Sequence, residues 1–158
     1  MKEVGKWCTY AETFKSQTAL RKGIDNEPSD AQFANILKTY KYVYEPICNA
    51  FKRKLPISSF FRCKKLNTAI GGSKTSQHMT GEAIDIDCDG MTGTTNKQLF
   101  NWILKNLSFD QLILESPDKN NNPSWVHVSF VSKEKNRKQV LRMVRKNGKS
   151  VYEHISGW

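Results

Sequence analysis

A chain of 158 residues with 38% hydrophobic content can bury a core without disulfide or metal staples, and no run in it approaches the ~20 apolar residues of a membrane span. Its 25 lysines and arginines against 15 acids give a net charge of +10, which favours a polyanionic partner (nucleic acid, an acidic membrane or an anionic cell wall) or serves solubility alone. The start, MKEVGKWCTYAETFK, has no apolar segment of the kind a secretory signal needs, and Cys8, Cys48, Cys63 and Cys88 show no Cys-x-x-Cys spacing, which argues against a thiolate zinc ribbon and for free thiols.

No repeat or low-complexity linker divides the chain, so residues 1–158 are expected to form a single domain. Thr9 and Glu12 have capping-box spacing and predict a short helix over YAETFKSQTALRKG, closed by Gly23. Ser29 and Gln32 repeat the signature ahead of Phe33, Ile36, Leu37, Tyr40, Val43, Tyr44, Ile47 and Phe51, an apolar stripe that predicts one long helix bent near Pro46. Next come a strand in LPISSFF, a helix around CKKLNTAI, the loop GGSKTSQ and the strand AIDID. Thr95 and Gln98 cap a helix over NKQLFNWILKNL, followed by the strands FDQLILE and WVHVSF across the polar loop SPDKNNNPS. The last two runs, QVLRMV and SVYEHI, flank Asn147-Gly148, a hairpin signal. This C-terminal segment, about 133–155, concentrates the basic excess: Lys133, Lys135, Arg137, Lys138, Arg142, Arg145, Lys146 and Lys149 against Glu134 alone up to that point. The order predicts an α+β fold, a mostly antiparallel sheet with helices packed on one face.

Alternation along strands places the chemistry. In AIDID, Ala83, Asp85 and Asp87 face one way and Ile84 and Ile86 the other; in WVHVSF, Trp125, His127 and Ser129 share a face. An unpaired carboxylate in a buried strand costs several kcal/mol unless a partner or a metal compensates, so Asp85 needs an answering group. If the two strands are neighbours, His127 meets Asp85, and His78 enters from the preceding loop. Two imidazoles and one carboxylate would be three ligands for tetrahedral zinc with the fourth position open, the catalytic form of such a site. From spacing alone, each histidine could equally be a satisfied structural residue and Asp85 a turn cap.

The run ISSFFRCKKLNTAIGGSKTSQHMTGEAIDID resembles the pattern S-x-x-x-R-x-x-x-x-N-x-x-x-G-G-x-x-x-S-x-H-x-x-G-x-A-x-D of the zinc D-alanyl-D-alanine carboxypeptidases and their L-alanyl-D-glutamate endopeptidase relatives, which share the hedgehog-type zinc peptidase fold. SWVHVSF is similar to the family's closing strand, and TALRKGIDNEP to a segment of its short phage- or prophage-type members; the likeness spans about residues 9–130. The resemblance implies a zinc peptidase that hydrolyses amide bonds of peptidoglycan stem peptides, with zinc-bound water as the nucleophile. His78, Asp85 and His127 would bind zinc, and Arg62 would steady the substrate carbonyl as it becomes an oxyanion. Ser76 would supply a hydrogen bond near the site or merely cap its loop, and Asp87 would support Asp85 or do nothing. Cys88, three residues from Asp85, points to the opposite face, and His154 matches no family ligand.

One position departs from the pattern. Many members carry a general-base carboxylate three residues before the last histidine, where this chain has Ser124, which cannot take a proton near neutral pH. Glu115, at the end of FDQLILE, is the expected substitute if that strand pairs with WVHVSF; Asp118 is less constrained. A base lost altogether would leave a zinc-containing module that binds cell wall or protein without cleaving. The expected partners are a muropeptide or peptidoglycan substrate and an anionic wall held by the basic segment, with no membrane span; nucleic-acid binding has only charge in its favour. The expected location is synthesis in the cytoplasm and action at the wall after release, or after removal of a precursor segment.

Overall fold

The computed structural model describes residues 2–156. The N-terminal prediction of one helix resolves into two pieces: a 3-10 turn, Ala11–Phe14, and α1, Gln17–Lys22. Thr9 and Glu12 do bond reciprocally, but the chain turns extended at Lys15 and Ser16 opens a second cap by accepting the Ala19 N–H. Two cap signals seven residues apart leave no room for one continuous helix, because a capping residue is itself non-helical.

The long helix predicted from Ser29 forms with its capping box intact, as α2, Asp30–Thr39, and α3, Glu45–Phe51. Between them lies a π-turn, Tyr40–Tyr44, rather than a simple bend. Pro46 follows at once; its ring lacks an N–H and crowds the carbonyl four residues back, and a wider turn relieves both conflicts. The remaining elements are β1 (Ile57–Ser59), α4 (Lys64–Ala69), a 3-10 turn (Gln77–Thr80), β2 (Ala83–Ile86), α5 (Asn96–Asn106), β3 (Gln111–Glu115), β4 (Trp125–Ser129), β5 (Gln139–Lys146) and β6 (Lys149–His154).

The strands form one sheet in the order β1-β2-β4-β3-β5-β6, antiparallel throughout except for the parallel pair β3–β5. Ile84, Ile86, Leu112, Leu114, Val126 and Val128 face the helices and join Ile36, Val43, Tyr44, Ile47, Leu99, Phe100 and Ile103 in the main core. Each such side chain contributes about 1.5–3 kcal/mol when fully buried, and α5 delivers Leu99, Phe100 and Ile103 on one face by their helical spacing. The expected α+β class, with helices on one face of a mostly antiparallel sheet, is what forms. The four cysteines are free, and Cys8, Cys48 and Cys88 lie in that core.

The basic C-terminal segment is a built part of the sheet. Asn147 and Gly148, at φ 52° and 74°, make the tight turn between β5 and β6. Several of its charges are engaged: Arg137 with Asp110, Lys146 with Glu153, and Arg142 with the Asn121 side chain. Among the described residues no helix is long and apolar enough to cross a membrane.

Candidate metal centre and active site

Register brings the ligand candidates together. Asp85 of β2 lies directly across from His127 of β4, and Ser59 of β1 lies on its other side. His78 arrives from the 3-10 turn, which is fixed at both ends and from behind. Ser76 caps it by accepting the His78 N–H at 3.3 Å, so Ser76 acts on the backbone of the turn. Gly81 closes it at φ 83°, and a Cβ there would sit 2.6 Å from the Gln32 carbonyl oxygen, so the turn can pack this closely on α2 only with glycine. Along one stripe of α2, Gln32, Asn35 and Thr39 donate to the carbonyls of Met79, Thr80 and Gly81 at 3.2, 3.0 and 2.9 Å.

The donor atoms of His78, Asp85 and His127 all lie within 4.8 Å of one another. Nδ1 of His78 is 2.6 Å from the Phe60 carbonyl oxygen. A carbonyl can only accept, so Nδ1 carries the proton and Nε2 presents a lone pair. That lone pair is buried without a hydrogen-bond partner and faces Oδ2 of Asp85 at 3.2 Å. Two acceptors held this close repel each other unless a cation lies between them. Nδ1 of His127 adds a third donor atom 2.9 Å from Asp85 Oδ1. Burial keeps His78 neutral, its pKa lowered below the usual imidazole value. Burial works against the charge on Asp85 too, but its two imidazole neighbours outweigh it and hold the carboxyl below the ordinary range. A neutral His78 beside an ionised Asp85 is the protonation pairing a metal ion requires.

Glu115 ends β3 on the same face. Its neighbour in register is Trp125, two residues from His127, and Ile113 lies opposite His127 itself. Glu115 is 5% exposed, and its Oε2 is buried with no hydrogen-bond partner. Burial pushes its carboxyl up to about 7; His127 and Arg62 pull the other way and the charge on Asp85 adds to the rise. Asp118 instead spends its carboxylate on its own loop, accepting the backbone N–H groups of Asn120 and Asn122. Ser124 is likewise turned to the loop, its hydroxyl donating to the Ser116 carbonyl.

Arg62 follows β1, its backbone N–H donating to the His78 carbonyl at 3.1 Å. Its guanidinium is held by Asn67, whose Oδ1 accepts from Nη1 at 3.0 Å and whose Nδ2 donates to Ser73. Gly72 makes room for this clamp, since a Cβ there would lie 2.1 Å from Asn67 Oδ1. Burial disfavours the charge of Arg62, while Asp85 and Glu115 favour it. Its Nε is buried without a partner. Asn26, from the segment GIDNEP, grips the chain around the arginine through Phe61 O and Cys63 N at 3.1 and 2.7 Å.

Asp87 lies elsewhere in its bonding: its carboxylate takes the Asn96 amide and the Asp89 N–H, helping to seat α5, and no hydrogen bond joins it to the metal ligand candidates among the described residues. Cys88 is buried in the main core, and His154 is exposed on β6. The clamps made by Asn26, Gln32, Asn35, Thr39 and Asn67 escaped the sequence reading. Only Asn67 left a trace, as the asparagine in the run between Arg62 and Gly71.

Three candidate metal donors, a buried carboxyl oxygen without a partner and a clamped arginine are the equipment of a hydrolytic metal centre. Comparison with protein families agrees. The family model described as Peptidase M15 matches residues 6–129, and the chain belongs to that family of metallopeptidases; it is a hydrolase. No curated protein matches the chain.

Proposed function

We propose that the protein is a zinc peptidase that cleaves amide bonds in peptidoglycan stem peptides, with His78, Asp85 and His127 as the metal ligands. The observation that carries this reading is the unpartnered Nε2 of His78 facing Asp85, beside the unpartnered carboxyl of Glu115, in a chain of the Peptidase M15 family. Two imidazoles and one carboxylate suit zinc. Bound there, zinc would supply the Lewis acidity that makes water a nucleophile near neutral pH. Glu115 would take a proton from the attacking water and return it to the leaving amine, and a carboxyl pushed up to about 7 suits both transfers. Arg62, held by Asn67, presents its guanidinium to the carbonyl oxygen as negative charge develops. The exposed Lys135, Lys138 and Lys149 give the hairpin side a hold on an anionic wall.

Digestion of purified peptidoglycan by the zinc-loaded protein, with mass analysis of the fragments, tests this. Loss of a terminal D-alanine assigns the carboxypeptidase reaction, and separation of L-alanine from D-glutamate the endopeptidase reaction. No cleavage by protein with its full metal complement would overturn the assignment and leave the non-cleaving module, for which Ser124 would be the sequence record.

A further inference from the structure

The face of the sheet that carries the metal ligand candidates does not stop at β3. In register, Glu115 pairs with Met143 of β5, and Met143 with Tyr152 of β6. Residues paired directly across a sheet share a face, so Glu115, Met143 and Tyr152 form one row on the site side. The row beside it runs Asp85, His127, Ile113, Leu141 and His154. Between the two polar ends lies a small apolar floor, Ile113, Leu141 and Met143 with Trp125 against it, separate from the main core. A substrate crossing from the metal corner towards β6 passes over this floor and meets Tyr152, which is 51% exposed and one of the few large hydrophobic side chains left open to solvent.

The phenol also lies within the electrostatic field of the site. Partial burial is the strongest influence on its hydroxyl, and next come the charges of Glu115 and Asp85, which raise its pKa above the usual value; Arg145 and Arg62 act in the opposite sense. Arg62 feels Tyr152 in turn. An ionised carboxylate can only accept, so the oxygens of a peptide need a donor on this side of the sheet. A tyrosine that keeps its proton at neutral pH supplies the missing donor.

We infer that Tyr152 is a substrate-contacting residue whose hydroxyl donates a hydrogen bond to a carbonyl or carboxylate oxygen of the bound peptide. This rests on the stem-peptide reading of the site and extends it, because the hairpin that bears Tyr152 lies beyond the residues matched by the family model, 6–129. Specificity would thus be set partly by a strand outside the shared domain core.

The test is Tyr152→Phe, which removes one exposed hydroxyl and keeps the ring on the floor. Steady-state cleavage of a soluble stem peptide should fall about tenfold in kcat/KM, the scale of one lost hydrogen bond to a charged or polarised oxygen. Metal content and melting temperature should match the wild type. In the Glu115→Gln background, where turnover is slowed, titration calorimetry should show binding weakened about as much. Wild-type kcat/KM and unchanged peptide affinity in Tyr152→Phe would overturn the inference while leaving the peptidase intact. A wild type that neither cleaves nor binds the stem peptide would overturn both, and the two failures differ in whether the parent enzyme works.

Discussion

Asp85 in the corner between β2 and β4, and Glu115 at the end of β3, are carboxyls on one face of one sheet, 8% and 5% exposed, yet their surroundings drive them in opposite directions. Burial raises both. Around Asp85 stand two imidazole nitrogens, at 3.2 and 2.9 Å, and its pKa is lowered. Around Glu115 no group bonds its Oε2, and it rises to about 7. The partner, not the depth, decides the charge, and two carboxyls with pKa values pushed apart can divide the work of ligand and proton carrier.

The largest expected effect breaks the Asp85 corner. His78→Ala and His127→Ala should each reduce the zinc content, about one per chain in the wild type, to near zero, and take hydrolysis to background. Elemental analysis and a stem-peptide assay check this; stoichiometric zinc retained in either variant would exclude the ligand set. Next, Glu115→Gln keeps the shape and removes the basic oxygen. Its zinc content should stay near that of the wild type while the rate drops on the order of 10²-fold or more. The acid limb of the pH–rate profile, placed at or below about 7, should vanish with it. Asp118→Asn, whose carboxylate only staples its loop, should cost far less.

The same residue sharpens the comparison in stability. The Glu115 pKa is raised on folding, from the ordinary 4.5 to about 7, so the folded state holds its proton longer than the unfolded state. Its contribution to stability is therefore fully present below about pH 4.5 and lost as pH rises through about 7. Metal-free Glu115→Gln, which mimics the protonated form at every pH, should be more stable than metal-free wild type at pH 8 by on the order of 2 kcal/mol and nearly equal to it at pH 4. Equal melting temperatures at both pH values would mean that the carboxyl is hydrated when the metal is absent.

The Asp85 corner was legible in sequence and the Glu115 end only half so. Alternation places Asp85 and His127 on shared faces, and the motif supplies His78, so one assumption, that β2 and β4 are neighbours, completes the group. Glu115 needed a second pairing and a register, and neither follows from its own strand. The polar clamps were less visible still. Gln32, Asn35 and Thr39 look like the solvated side of a helix, since their acceptors are backbone carbonyls more than forty residues away that carry no side-chain signature. Tyr152 acquires its place only through β5, which joins the sheet by its one parallel pairing. The π-turn before Pro46 is hidden in the same way: the proline announces a disturbance, and packing selects its form.

The smallest expected effect probes how the Asp85 corner is held from outside. Asp110, 1% exposed, accepts Nε and Nη2 of Arg137 at 2.9 and 2.6 Å, the Arg137 backbone N–H at 2.9 Å and Nε2 of Gln77 at 2.9 Å. Gln77 immediately precedes His78, so a residue of the basic segment steadies the turn that carries a metal ligand candidate. Burial opposes the charge on Asp110, but the Arg137 bonds win and keep its pKa low. Because Gln77 acts on His78 through the backbone, the effect should fall below the 10–100-fold typical of groups bonded directly to a ligand, at about 3- to 10-fold in zinc affinity for Arg137→Gln. Chelator competition measures it, and Arg137→Lys, which keeps one charged donor but not the fork, should recover only part. A loss of melting temperature with unchanged zinc affinity would reduce the clamp to a support for the fold, and would leave α2 as the element that positions His78.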